Sequence, residues 1–194
     1  MENKLSNKQL SALNNGDTHA FSHLYKEWYK PLCYFALKIT GSKEDAEDIV
    51  VNMFTHFYHA KNTFEHVQKL ESFLYKAVKN SCINHIKKIE KQSVNKRKYA
   101  YLQDLEDNNT IENIIIKTEL LREILAEVKK LPDSYRDVFE LSMQGLKNDE
   151  IADRLNITPT NVTTRKNRAI NLLRLKLSND SLFLLYIILF RSIY

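Results

Sequence analysis

GLKNDEIADRLNITPTNVTTRKNRAINLLRLKL, residues 145–177, decides how this chain is read. Ile151, Ala152 and Leu155 recur at helical spacing and stop at Asn156, Ile157 and Thr158, where a tight turn falls. Asn156 tolerates the left-handed backbone such a turn demands. Thr158 then serves as an N-cap with Pro159 at the first helical position, and Val162, Ala169, Leu172 and Leu173 mark an inward face. The opposite face carries Thr160, Asn161, Thr163, Thr164, Lys166, Asn167 and Arg168. Two helices joined by a tight turn form a helix-turn-helix, whose second helix lies in the major groove of DNA.

The residue types suit that groove. Arginine pairs with guanine, asparagine with adenine, and threonine meets a phosphate or a thymine methyl. From Thr160 to Leu177 the charged residues are Arg165, Lys166, Arg168, Arg174 and Lys176, with no carboxylate among them. An ordinary amphipathic helix with a solvated basic face shares this pattern. Turn, cap and charge agreeing at the required places favour DNA.

Outward from this stretch, the 194 residues are 43% hydrophobic, enough to fill one medium or two small cores. Only 3 Gly and 3 Pro are present, which disfavours a loop-rich β fold, and helical periodicity fills most of the sequence, so the class is all-α. The net charge of +5 suits a polyanionic partner. Its distribution says more: from Lys76 to Lys98 only Glu90 opposes eight bases, whereas Asp104 to Glu127 is acidic.

Cys33 and Cys82 sit inside helical patterns without metal-ligand spacing, so buried reduced thiols are expected. MENKLSNKQL has no apolar stretch of the secretory kind, and the apolar run Leu182 to Phe190 is too short to span a bilayer. A cytoplasmic protein without direct membrane insertion is expected. His19 with His23 and His56 with His59 have helical spacing but no third metal ligand nearby, and no phosphate-binding glycine loop is present. No metal, cofactor or catalytic residue is expected.

Three helical blocks come first. Asp17 caps a helix with Phe21, Leu24, Tyr25 and Trp28, and Pro31 is expected to open a second segment through Leu32, Phe35 and Ile39. Ser42 precedes Ala46, Ile49, Val50, Met53, Phe54 and Phe57 at helical spacing, with an acidic outer start of Glu44, Asp45, Glu47 and Asp48. After the polar connection AKNTFEHVQKLES, a helix is expected from about Phe73 to Ile89. On it Phe73, Tyr75, Lys76, Lys79, Asn80, Asn84, Lys87 and Lys88 interleave aromatics with bases, as single-stranded nucleic acid would require. Phe73 and Tyr75 read equally well as core residues. The period fails from about Ile89 and returns with Ile115, Leu121, Ile124, Leu125 and Val128; Gly145 closes the helix SYRDVFELSMQG. The predicted organisation is thus a helical domain at 1–90, a flexible linker at 91–112, a helix-turn-helix domain at 113–178 and an apolar tail at 179–194.

GDTHAFSHLYKEWYKPL, DAEDIVVNMFTHFY, SFLYKAVKNSCINHIKK and LPDSYRDVFELSMQGLKNDEIADRLNITPTNVTTRKNRAINLLR occur in this order over most of the chain. In this it resembles the extracytoplasmic-function sigma factors of bacterial RNA polymerase. The resemblance implies a non-enzymatic subunit that binds core RNA polymerase and promoter DNA, and that is monomeric when free. By it, Asp45, Glu47, Asp48 and Asn52 would dock on the coiled coil of the largest polymerase subunit. Phe64 to Lys69 would capture a flipped base of the minus-ten element, with Phe73, Tyr75, Lys76, Lys79, Asn80, Asn84 and Lys87 supporting strand separation. Thr160, Asn161, Thr163, Thr164, Asn167 and Arg168 would meet the minus-thirty-five element, with Arg165 and Lys166 on phosphates. Asp104, Glu106 and Asp107 would thread towards the polymerase active centre, and an anti-sigma partner is implied. The chain departs from the family at Phe73 for Trp, Val51 for Gln, Asn84 for Asp, Lys147 for a capping Ser, and Lys166 for a more apolar residue. Ser181 to Tyr194 lie outside the match and are expected to pack on the second domain or to meet an inhibitor. The alternative from another class is a free-standing dimeric helix-turn-helix regulator on a palindromic site.

Overall fold

Ser6 opens the first helix, α1 (Asn7–Asn14), through a reciprocal cap: its hydroxyl accepts the Gln9 N–H at 3.2 Å, and the Gln9 side chain accepts the Ser6 N–H at 2.8 Å. Gly16 turns the chain with φ +77° into α2 (Thr18–Thr40), whose first turn is capped by the Asp17 carboxylate. The computed structural model describes residues 5–92 and 108–191.

Pro31 does not open a second segment; α2 runs through it to Gly41, which ends the helix with φ +73°. A mid-helix proline removes one hydrogen bond. Leu24, Trp28, Leu32, Phe35, Ala36 and Ile39 all enter one core with the ring of Pro31 buried beside them, and that burial outweighs the local cost. Ser42 caps α3 (Lys43–Ala60), accepting the Asp45 N–H at 3.3 Å, and every expected inward residue from Ala46 to Phe57 is buried.

The next helix, α4 (Val67–Gln92), starts inside the stretch expected to be a polar connection. Val67, Leu70 and Leu74 are buried at helical spacing and anchor its first turns. Residues 93–107, with Asp104, Glu106 and Asp107, lie outside the described residues.

Helical order resumes with α5 (Asn108–Lys129), earlier than the predicted end of the linker at 112, because Ile111 packs into the first core. Ile124 and Val128 of the same helix belong to the second core. The chain accordingly divides into two compact units, Met1–Thr118 and Glu119–Tyr194, with the boundary inside α5. Among the described residues all regular structure is helical.

The second unit continues with α6 (Asp133–Met143), α7 (Asn148–Leu155), α8 (Pro159–Arg174) and α9 (Asn179–Arg191). Phe139, Ala169, Leu173 and Leu177 fill its larger core; Val138, Ile151, Ala152 and Val162 form a smaller one beneath the α7–α8 turn. Leu172, expected inward, is 40% exposed, because the helical phase set by Val162, Ala169 and Leu173 turns it outward.

The C-terminal segment packs on its own unit. Leu185 and Leu189 join the larger core, while Phe183 and Ile187 stay exposed. Glu123 of α5 keys its start, accepting the Ser178 N–H at 3.1 Å and the hydroxyls of Ser178 and Ser181. No helix among the described residues is long and apolar enough to cross a membrane.

Candidate nucleic-acid and polymerase interfaces

In the second unit, local chemistry fixes the helix-turn-helix. Glu150 accepts the Lys147 N–H at 2.7 Å, retaining half a capping box although lysine has no acceptor to complete it. Asn156 ends α7 with φ +53°, the left-handed conformation its type tolerates, and Thr158 caps α8 by accepting the Asn161 N–H at 3.2 Å. Beyond this turn Thr160, Asn161, Thr163, Thr164, Asn167 and Arg168 are all exposed.

Two of the expected residues sit differently. Arg165 and Lys166 are half-buried, and burial pushes the Lys166 ammonium below the usual lysine range. Lys166 therefore lies beside the outer face rather than on its crest. The threonine hydroxyls bond inward: Thr163 donates to the Pro159 carbonyl at 3.1 Å and Thr164 to the Thr160 carbonyl at 2.9 Å. Asn148 at the start of α7 donates to the Thr163 oxygen at 3.2 Å and so links the two helices. Arg168 donates to the Tyr135 hydroxyl of α6 at 3.4 Å, and Arg174 to that of Tyr186 on α9 at 2.6 Å. Neither tyrosine was legible as a partner in the sequence.

In the first unit, Phe73, Lys76, Asn80, Asn84 and Lys87 recur three and four apart and so share one face of α4, where the four polar residues are exposed. Lys79 is half-buried at the edge of this face. Tyr75 does not belong to it. Its ring is 8% exposed and meets Trp28 and Phe35 edge-on at 5.6 and 5.1 Å, which makes it a core residue.

The segment Lys61–His66 connects α3 to α4, so Val67, Gln68 and Lys69, expected in the loop, form the first turn of α4 instead. Phe64 leaves the loop inward. It stacks near Phe57 at 6.0 Å and lies 5.3 Å from Phe73, which itself is 5.8 Å from Phe57. The loop's aromatic residue and the first aromatic of the basic face are thus one packed cluster.

On α3, Asp48 and Asn52 are exposed and Asp45 and Glu47 half-buried. Asp45, Asp48 and Asn52 share a face; Glu47 lies beside it, 3.9 Å from Lys43. Asp45 Oδ1 approaches His85 Nε2 of α4 at 3.2 Å without the alignment of a hydrogen bond, and that nitrogen is otherwise buried and unpaired. Asn52, Phe57, Phe73 and His85 line one groove between α3 and α4. The acidic-faced helix and the basic-faced helix therefore meet along this groove.

Among the described residues no group of three or more His, Cys, Asp or Glu side chains could hold a metal ion. Burial pushes the Cys33 thiol up to about 11 and the Cys82 thiol up to about 12, which keeps both protonated.

Comparison with known proteins matches both units. Residues 24–92 match the family described as Sigma-70 region 2, and residues 121–173 that described as Sigma-70, region 4. The chain is 30% identical over 181 residues to the ECF RNA polymerase sigma factor SigW of Bacillus subtilis (strain 168), covering 88% of this chain and 95% of that relative. It is 24% identical over 148 residues to the RNA polymerase sigma factor SigZ of the same organism, covering 75% and 80%. With the ECF RNA polymerase sigma factor SigM of Bacillus subtilis it shares 23% over 142 residues, covering 71% and 83%.

Proposed function

Because the chain belongs to the sigma-70 family, as a factor of the extracytoplasmic-function type, we propose that its three surfaces divide the work of promoter recognition. The protein directs promoter-specific initiation of transcription with core RNA polymerase. In this reading Asp45, Asp48 and Asn52 of α3, with Glu47 beside them, meet the polymerase. Phe64 and its loop, with Phe73, Lys76, Lys79, Asn80, Asn84 and Lys87, hold the unpaired minus-ten strand. Thr160, Asn161, Thr163, Thr164, Asn167 and Arg168 read the minus-thirty-five element, while Arg165 and Lys166 lie near phosphates.

One observation carries the assignment within the first unit. A single face of α4 presents lysines and asparagines in a row that ends at Phe73, in contact with Phe64 of the loop. Lysines along such a row track a phosphate backbone, and the loop beside the cluster is where an extruded base is taken. Strand separation then follows from binding: the protein favours unpaired DNA by its differential affinity, without a reaction of its own.

In this reading the protein acts with core polymerase in the cytoplasm, is monomeric until it binds polymerase, and has an anti-sigma protein as a further partner. The match to Sigma-70 region 2 argues against a free-standing dimeric regulator, which has no use for a polymerase-docking unit. Run-off transcription by core polymerase with and without the chain tests the reading: initiation at discrete promoters that needs the chain is expected. No stimulation on any promoter, together with no core binding, refutes it.

A further inference from the structure

The loop before α4 is held from a distance. Phe64 belongs to neither flanking helix, so neither supplies partners for its backbone. The side chain of Asn14, fifty positions earlier at the end of α1, meets both groups: its Nδ2 donates to the Phe64 carbonyl at 2.8 Å, and its Oδ1 accepts the Phe64 N–H at 3.0 Å. A primary amide carries one donor and one acceptor side by side and so matches the two backbone groups of one extended residue. Both bonds are part-buried, and α1 is itself anchored by Leu10 and Leu13, 3% and 8% exposed. The Phe64 ring is meanwhile fixed by Phe57 and Phe73. Backbone from one side and ring from the other, the loop is ordered at its centre, while Thr63, Glu65 and His66 on either side stay exposed.

We propose that Asn14 is a positioning residue for promoter opening: it holds the Lys61–His66 loop in the shape that receives the unpaired base, so that capture spends no binding energy on ordering the loop. Asn14 touches no DNA in this role and acts through Phe64. It lies outside the residues 24–92 that match Sigma-70 region 2, so the loop is held by a helix that precedes the matched segment. The inference rests on the proposed assignment of this loop to the minus-ten strand.

The experiment uses the full chain with core polymerase, on a promoter from which it supports run-off transcription. Permanganate reactivity of unpaired thymines reports opening; affinity for core polymerase is measured beside it. Asn14→Ala is expected to lower opening about tenfold, the measure of one to two net hydrogen bonds, with core affinity changed less than about twofold. Asn14→Asp keeps the acceptor, sets a carboxylate against the Phe64 carbonyl, and is expected to lose as much. Templates melted in advance over the minus-ten element should restore run-off transcription for both variants, which a merely structural role would not do. Opening and core affinity falling together, without rescue on melted templates, overturns the proposal. Unchanged opening in Asn14→Ala overturns it too, and Glu65→Ala and His66→Ala then separate the causes. If these lower opening, the loop assignment stands and only the positioning role is lost; if they do not, the loop assignment falls as well.

Discussion

Replacing Leu185 by alanine distinguishes a structural C-terminal helix from an adhesive one. Leu185 is 0% exposed within the core that also holds Phe139, Ala169 and Leu173, so its truncation leaves a cavity lined by residues of α6 and α8. A fully buried Leu→Ala change costs about 2–5 kcal/mol, and about 3 is a fair central value. For a unit the size of Glu119–Tyr194, each kcal/mol moves the midpoint by about 4–8 °C, so the expected fall is about 12–24 °C. Total stability for such a unit is of the order of 5–10 kcal/mol, and the variant remains folded at 25 °C. Phe183, two residues earlier and 69% exposed, is the control: Phe183→Ala should stay within about 0.5 kcal/mol of the parent. Far-ultraviolet circular dichroism follows the melt. Trp28, the single tryptophan and buried in the first unit, gives a separate fluorescence signal for that unit. Equal losses for the two variants, or no loss for Leu185→Ala, refute the packing assigned to α9.

Thr158→Ala removes the cap of α8 and should cost about 1 kcal/mol, read as a fall of about 4–8 °C in the same melt. Burial pushes both thiols well above pH 8, so at that pH Cys33 and Cys82 hold far less thiolate than an ordinary exposed cysteine. Colorimetric thiol titration of the native chain should therefore run at least about a hundredfold slower than in denaturant; equal rates contradict it. The N–H groups of Ala20 and His19 hold the Asp17 carboxyl below its usual range. Its contribution is fully present above the unfolded-state value and is lost as pH falls through the lower folded value. Urea unfolding of Asp17→Asn should accordingly show less acid-induced loss than the parent, and an identical slope counts against this account. Arg168→Ala should weaken promoter binding by about 1–3 kcal/mol, with discrimination lost at one base pair, if the side chain pairs with guanine. A uniform loss with a shallower salt dependence marks a phosphate anchor instead.

The parts of this fold that were legible in the sequence are those whose causes are local. Asn156, Thr158 and Pro159 announce the turn and restart of the helix-turn-helix within three residues of where they act, and Ser42 and Asp17 announce their helices in the same way. Pro31 misleads for the complementary reason: its cost is local, whereas the burial of Trp28, Leu32 and Phe35 that overrides it depends on other helices. Val67, Leu70 and Leu74 were diluted by polar neighbours, so the start of α4 was missed by six residues. Tyr75 was decidable. Residues two apart lie on nearly opposite sides of a helix, so Phe73 and Tyr75 cannot both face one strand of DNA. Asn14 left no trace, because nothing at position 14 indicates a bond to position 64.

The inward-bonded hydroxyls of Thr163 and Thr164 bear on which bases their helix can tell apart. Each has given its hydrogen to a carbonyl of its own helix, so towards a groove Thr164 offers lone pairs and a methyl group, and Thr163, one lone pair of which already accepts from Asn148, offers the other and its methyl. Lone pairs meet the amino edges of adenine and cytosine, and a methyl meets that of thymine. The acceptor edge of guanine finds nothing to bond at either threonine. If, as proposed, these threonines face the minus-thirty-five element, the positions opposite them would be read by exclusion of guanine, and replacing thymine by uracil there, which removes only a methyl, would be a discriminating substitution in the DNA rather than in the protein.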